Sequence, residues 1–193
     1  MANDSQGVKI LKSAFQATTL RTAGFSTIDQ QELTTAGKFI SICYMFIGGS
    51  PAGTAGGIKT VTFVLMLLHI YSLIKGSENV NVFGKTIDNH IIKRALTIII
   101  VSFVICILGL FVLSISENVD FIDLIFEVFS AFATVGLSAG LTPRLTVIGK
   151  IVVIILMYIG RIGPITMVLL FAKKYNSKKG KDIVYAKENV LIG

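Results

Sequence analysis

Two short segments hold residue types that could handle an ion. Thr22-Ala23-Gly24-Phe25 and Thr134-Val135-Gly136-Leu137 share a T-x-G pattern, and a serine follows each. A backbone that runs Thr, apolar, Gly, apolar can turn successive carbonyl oxygens to one side, with Gly supplying a dihedral that a Cβ forbids. Rings of such carbonyls replace the hydration shell of a monovalent cation. A single tetrapeptide of this kind is weak evidence, because short Gly-containing strings are common. Here the two lie in register. A shift of 112 residues superimposes them, and over the 27 positions from Thr22 to Gly48, 11 are identical without a gap. The recurring residues are Thr22, Gly24, Ser26, Leu33, Thr34, Gly37, Lys38, Ile42, Met45, Ile47 and Gly48. Chance would give about two, so the chain contains an internal repeat.

A second cluster lies at Gly48, Gly49, Ser50, Gly53, Thr54, Gly56 and Gly57, closed by Lys59. Five glycines with Pro51 cannot remain helical. Such a polar backbone suits a water-filled cavity at membrane depth; a simple packing kink is the alternative. GGSPA does not make a nucleophile elbow, because its last residue is Ala52, and GGIKT does not make a phosphate loop, because Ile58 separates Gly57 from Lys59. Arg161 interrupts an otherwise uncharged run and stands opposite Gly49 in the repeat. A central Arg costs about 2.5 to 3.5 kcal/mol on insertion scales, so it needs water, a partner or a route to the lipid headgroups.

These residues need a frame, and composition says which. The chain has 193 residues, 53% hydrophobic and 15% charged, with net charge +7 and mean hydropathy +0.77. That excludes disorder and disulfide scaffolds and points to a membrane protein. Ala95 to Ser116 is an uncharged run long enough to span. Phe39 to Ile74 is apolar but cut by the Gly-rich stretch, so it reads as a broken helix, and Ile151 to Ala172 reads as a third span around Arg161. Lys75, Lys85, Lys93 and Arg94 put the 75–94 linker on the cytoplasmic side, and six lysines put the tail from Lys173 there too. Glu117, Asp120, Asp123 and Glu127 put the intervening connection outside. They read either as a solvated face or as acids that concentrate cations.

Parity then requires that the apolar stretch Val119 to Ala133, too short to cross, return to the face it left. A surface helix or a re-entrant half-helix satisfies this. A similar half-helix, around Val8 to Leu20, precedes the first T-x-G. The fold class expected is therefore an all-α membrane protein of tandem helix–pore-helix–helix repeats with re-entrant loops. Residues 1–74 form one repeat without a leading helix, and 95–172 form the next.

Other residues carry less. Cys43 and Cys106 read as small buried hydrophobes, and His69 as a packed or interfacial side chain. The first fifteen residues do not read as a signal peptide. No basic stripe with interleaved aromatics suggests nucleic acid, and no constellation suggests an enzyme.

TLRTAGFSTID, MFIGGSPAGTAGGIKT, FATVGLSAGLTPRLT and MYIGRIGP resemble the Trk/Ktr/HKT superfamily, most closely the membrane subunit of bacterial Ktr potassium uptake systems. The resemblance runs from about Lys9 to Gly193. It implies four repeats around one pore, with Thr22, Ala23, Gly24 and Phe25 as the third filter segment and Thr134, Val135, Gly136 and Leu137 as the fourth, holding K⁺. It implies that the Gly-rich stretch and Lys59 gate the pore, with Arg161 beside them. On this resemblance the chain is a C-terminal half of a pore, completed by N-terminal repeats. It would pair as a dimer of pore subunits, meet a cytoplasmic nucleotide-binding regulatory subunit and contact membrane lipid, with no cofactor of its own. Sodium as a coupling or activating ion is implied by resemblance only. Two other readings are a secondary transporter with a midplane site at the broken helix, and a non-conducting assembly fragment.

Overall fold

The computed structural model describes residues 5–51, 53, 55–77 and 79–163. Thr54 and the tail from Lys173 lie outside the described residues, as does the end of the span expected to reach Ala172. Six α-helices run in order: α1 (Gln6–Thr19), α2 (Thr35–Phe46), α3 (Thr60–Ile74), α4 (Asn89–Ser116), α5 (Phe121–Phe132) and α6 (Val147–Ile162). A two-stranded antiparallel hairpin, β1 (Asn81–Val82) with β2 (Lys85–Thr86), interrupts the otherwise helical pattern inside the 75–94 linker. Phe83 and Gly84 form its turn with positive φ at both positions.

α4 is long and apolar enough to cross a membrane. It begins two turns before Ala95, because Asp88 caps it by accepting the His90 N–H at 3.0 Å. Its 28 residues span about 42 Å at ~1.5 Å per residue. Much of its apolar surface faces outward, including Ile100, Phe111 and Ile115 at 62%, 62% and 73% exposure. Large apolar side chains turned outward at this density need a nonaqueous neighbour.

α5 is the centre of the packing. It lies against α2, α4 and α6 and buries seven of its twelve residues. One face joins Leu124, Val128 and Phe132 to Cys106 and Leu113 of α4 and Val153 and Leu156 of α6. Phe126, beside Ile42 and Met45 of α2, anchors a second cluster. Close approach of the backbones makes this possible. At Gly160 an added Cβ would lie 1.7 Å from the Phe132 carbonyl oxygen, and at Gly109 it would lie 2.9 Å from Leu156.

The two halves share their local devices. Thr34 caps α2 by accepting the Gly37 N–H at 3.1 Å, and Thr146 caps α6 by accepting the Gly149 N–H at 3.1 Å. The two pairs are 112 residues apart, so the same sequence signal starts the equivalent helix twice. Cys106 is buried, as its apolar setting suggests, but Cys43 is exposed because it falls on the outer face of α2.

Candidate ion-handling site

Each T-x-G segment leaves the C-terminus of a short helix. α1 ends at Thr19 and α5 at Phe132, so the negative ends of two helix dipoles lie just ahead of the segments, which favours a cation there. Thr22 and Thr134 have φ of 67° and 54°, and Gly24 and Gly136 have φ of 80° and 88°. Ala23 and Val135, between them, are not among the positive-φ residues. The same alternation of left-handed and other backbone thus occurs in both segments. A β-branched residue in the left-handed region is a strained outlier costing about 1–3 kcal/mol, and here it recurs at equivalent positions.

Hydrogen bonds hold that strain in place. The Ala23 N–H donates to Thr19 O at 3.1 Å and the Val135 N–H to Ser130 O at 2.9 Å. The Thr19 hydroxyl donates to the Phe25 carbonyl, and the Ser130 hydroxyl donates to the Leu137 carbonyl at 2.5 Å. Phe25 and Leu137 carbonyls are thus tied back to their helices, while the Thr-x-Gly carbonyls accept no such hydrogen bond among the described residues. The segments meet at their glycines. An added Cβ on Gly24 would come 2.4 Å from the Val135 carbonyl oxygen, and one on Gly136 would come 3.9 Å from Gly24 Cα.

The Gly-rich stretch separates α2 from α3, as the composition requires. Its ends are pinned together by a parallel bridge between Ile47 and Ile58, with the Gly48 N–H donating to Ile58 O at 2.8 Å and the Thr60 N–H to Gly49 O at 3.1 Å. Gly48, Gly56 and Gly57 are buried, whereas Ser50 and Gly53 are exposed at the tip. Lys59 Nζ donates to the Gly53 and Ala55 carbonyls at 3.2 and 2.5 Å, so its charge gathers the loop's own oxygens. The loop lies directly against the 134–137 segment. A Cβ on Gly56 would meet Thr134 Oγ1 at 2.4 Å and Ala133 O at 2.7 Å, and one on Gly57 would meet Ala133 Cβ at 3.2 Å. Thr134 Oγ1, facing this loop, is buried and has no hydrogen-bond partner among the described residues. Arg161 is exposed in the last turn of α6, next to Gly160 and so close to the end of α5.

The TrkH profile, described as a cation transport protein, matches residues 1–183. The chain belongs to the TrkH family of cation transport proteins. The Ktr system potassium uptake protein B of Bacillus subtilis is 43% identical over 185 residues, covering 96% of this chain and 41% of that protein. The potassium/sodium uptake protein NtpJ of Enterococcus hirae is 39% identical over 189 residues, covering 96% of this chain and 42% of that protein. The chain therefore spans about two fifths of the length of these relatives. In fold it is similar to the potassium transporter TrkH from Vibrio parahaemolyticus, with TM-score 0.73 at 18% identity, over 90% of this chain and 39% of that one.

Within this TrkH-family chain, Asp120 of the acidic run is exposed, as a solvated face requires, but Glu117, Asp123 and Glu127 are turned to partners inside the fold. Glu117 and Glu127 are buried at 9% and 4% exposure. Glu117 accepts the Thr146 N–H at 3.1 Å and the Thr146 hydroxyl at 2.6 Å, binding the start of α6. Asp123 pairs with Lys38 of α2 at 2.6 Å, and Glu127 accepts hydroxyls from Ser138 and Thr142. Their partners lie up to 85 residues away in sequence, so only the fold could reveal them.

Proposed function

We propose that this chain forms two of the four filter segments of a potassium-uptake pore in the plasma membrane. Carbonyls of Thr22, Ala23 and Gly24, and of Thr134, Val135 and Gly136, would take the place of water around K⁺. The observation that carries this reading is the repeated strain: left-handed Thr and Gly in both segments, with the two glycines adjoining. Family membership and the printed potassium-uptake names of relatives support the ion.

On this reading α1 and α5 are re-entrant half-helices, α4 runs outward from the cytoplasm and α6 returns, leaving the tail inside. The Gly48–Gly57 loop with Lys59 is the gate below the filter, supported by its contact with Ala133 and Thr134. Arg161 completes the barrier at the same level. Partners on this reading are N-terminal repeats that complete the pore, a second pore subunit and a cytoplasmic nucleotide-binding regulator, which the "Ktr system" names of relatives support. Sodium remains a coupling or activating ion by the potassium/sodium name of one relative.

The test is growth of a potassium-uptake-deficient host at low K⁺. Rescue is expected when this chain is expressed with an N-terminal half that completes the pore. Absence of rescue despite membrane insertion of both parts contradicts the reading.

A further inference from the structure

Glu127 lies outside the T-x-G strings, yet it is 4% exposed and sits behind one of them. Its Oε2 accepts the Ser138 hydroxyl at 2.9 Å and its Oε1 accepts the Thr142 hydroxyl. Ser138 Oγ in turn accepts the Gly140 and Thr142 N–H groups at 3.2 and 3.3 Å. With those two acceptor positions filled, the Ser138 proton has to go to Glu127. The turn leaving the segment is thus fixed through one carboxylate. Next to it lies a cavity of about 360 Å³ lined by Glu127, Ser130, Thr134, Gly136, Val153 and Met157. Where a wall of packed side chains would otherwise fix the segment, hydrogen bonds have to do so.

The other half of the repeat uses different chemistry. The position 112 residues before Glu127 is Phe15. The turn after Phe25 is tied to α1 by neutral groups instead: Gln30 Nε2 donates to Ser26 Oγ at 3.1 Å and to Ile28 O at 2.7 Å, and Gln16 Nε2 donates to Gln30 Oε1 at 2.7 Å, while Asp29 accepts the Gln31 N–H at 2.9 Å within the turn itself. The charged brace belongs to one segment alone among the described residues.

We propose that Glu127 is a positioning residue for ion selection, acting through Ser138 and Thr142 to hold the 134–137 carbonyls at the spacing that prefers K⁺ over Na⁺. This rests on the filter reading above. An amide can keep the geometry: Gln oxygen accepts from Ser138 while its nitrogen donates to Thr142, whose hydroxyl is free to turn. Position, rather than charge, therefore decides the effect.

The experiment compares Rb⁺ with Na⁺ uptake, at matched membrane abundance, for Glu127→Ala, Ser138→Ala, Glu127→Gln and Gly24→Ala in the completed pore. Glu127→Ala removes the bonds from both Ser138 and Thr142 and is expected to lower the Rb⁺/Na⁺ ratio at least about tenfold, the lower end for hydrogen bonds to a charged group. Ser138→Ala, a smaller change that spares the carboxylate, lowers it in the same direction. Glu127→Gln keeps most of the ratio. An unchanged ratio in both alanine variants, with the ratio lost in Gly24→Ala, overturns the brace and leaves the filter standing. Equal damage from Gln and Ala at position 127 overturns positioning in favour of charge. A retained ratio in Gly24→Ala overturns the filter reading and the brace with it.

Discussion

Gly56→Ala offers a sharp test of the loop packed against Ala133 and Thr134. The new methyl would lie 2.4 Å from Thr134 Oγ1, 2.7 Å from Ala133 O and 2.8 Å from Thr134 Cγ2, where ordinary contact begins at 3.4 Å. Two of these neighbours belong to a strained Thr and one is backbone, so the loop has to retreat by about 1 Å. Overpacking of this kind costs about 1–3 kcal/mol. If that cost falls on the closed arrangement, the open fraction rises about 5- to 150-fold at ~1.4 kcal/mol per tenfold. Measured as Rb⁺ efflux from loaded cells carrying the completed pore, Gly56→Ala should leak more while keeping its preference over Na⁺, since Gly24 and Gly136 are untouched. Gly53→Ala, whose methyl would meet only Ser50 O, at 3.3 Å, among the described residues, should change efflux far less. Wild-type efflux in Gly56→Ala at normal abundance, or equal effects of both substitutions, would refute the argument.

Three further outcomes are expected. Gly160→Ala drives a methyl to 1.7 Å from the Phe132 carbonyl, so it should cost about 3 kcal/mol and lower the melting temperature of the detergent-solubilised protein by several degrees. Lys38→Met or Asp123→Asn alone strands a partly buried charge of a 2.6 Å pair with side chains 11% and 21% exposed; each should destabilise by roughly 2–3 kcal/mol, and the double variant by less than their sum, in a double-mutant cycle. Arg161→Ala should alter uptake rate or leak in the completed pore, and unchanged flux removes Arg161 from the gate.

What was legible in the sequence was local. The T-x-G repeat, the short helices α1 and α5, the glycine break and the α4 run depend on neighbouring residues or on a periodic pattern, and each appears where those patterns put it. Helix starts were less legible, because Thr34 and Asp88 begin α2 and α4 ahead of their apolar runs. Long-range polar pairing was not legible at all. Glu117, Asp123 and Glu127 look like a solvated run when read in order, yet their partners come from α2, the turn after the 134–137 segment and the start of α6. A buried acid leaves no local mark, and neither does the left-handed strain at Thr22 and Thr134. One weak signal was present: the Thr34/Thr146 caps recur with the repeat.

The central claim is that T-x-G backbone geometry selects the ion, and Gly136→Ala tests it with little steric noise. The nearest atom to the added methyl is 3.9 Å away, so the substitution acts through the φ of +88° alone. The measurement is the ratio of Rb⁺ to Na⁺ uptake by the completed pore at matched abundance. A collapse of that ratio with continued ion flux is predicted; a wild-type ratio would contradict the account.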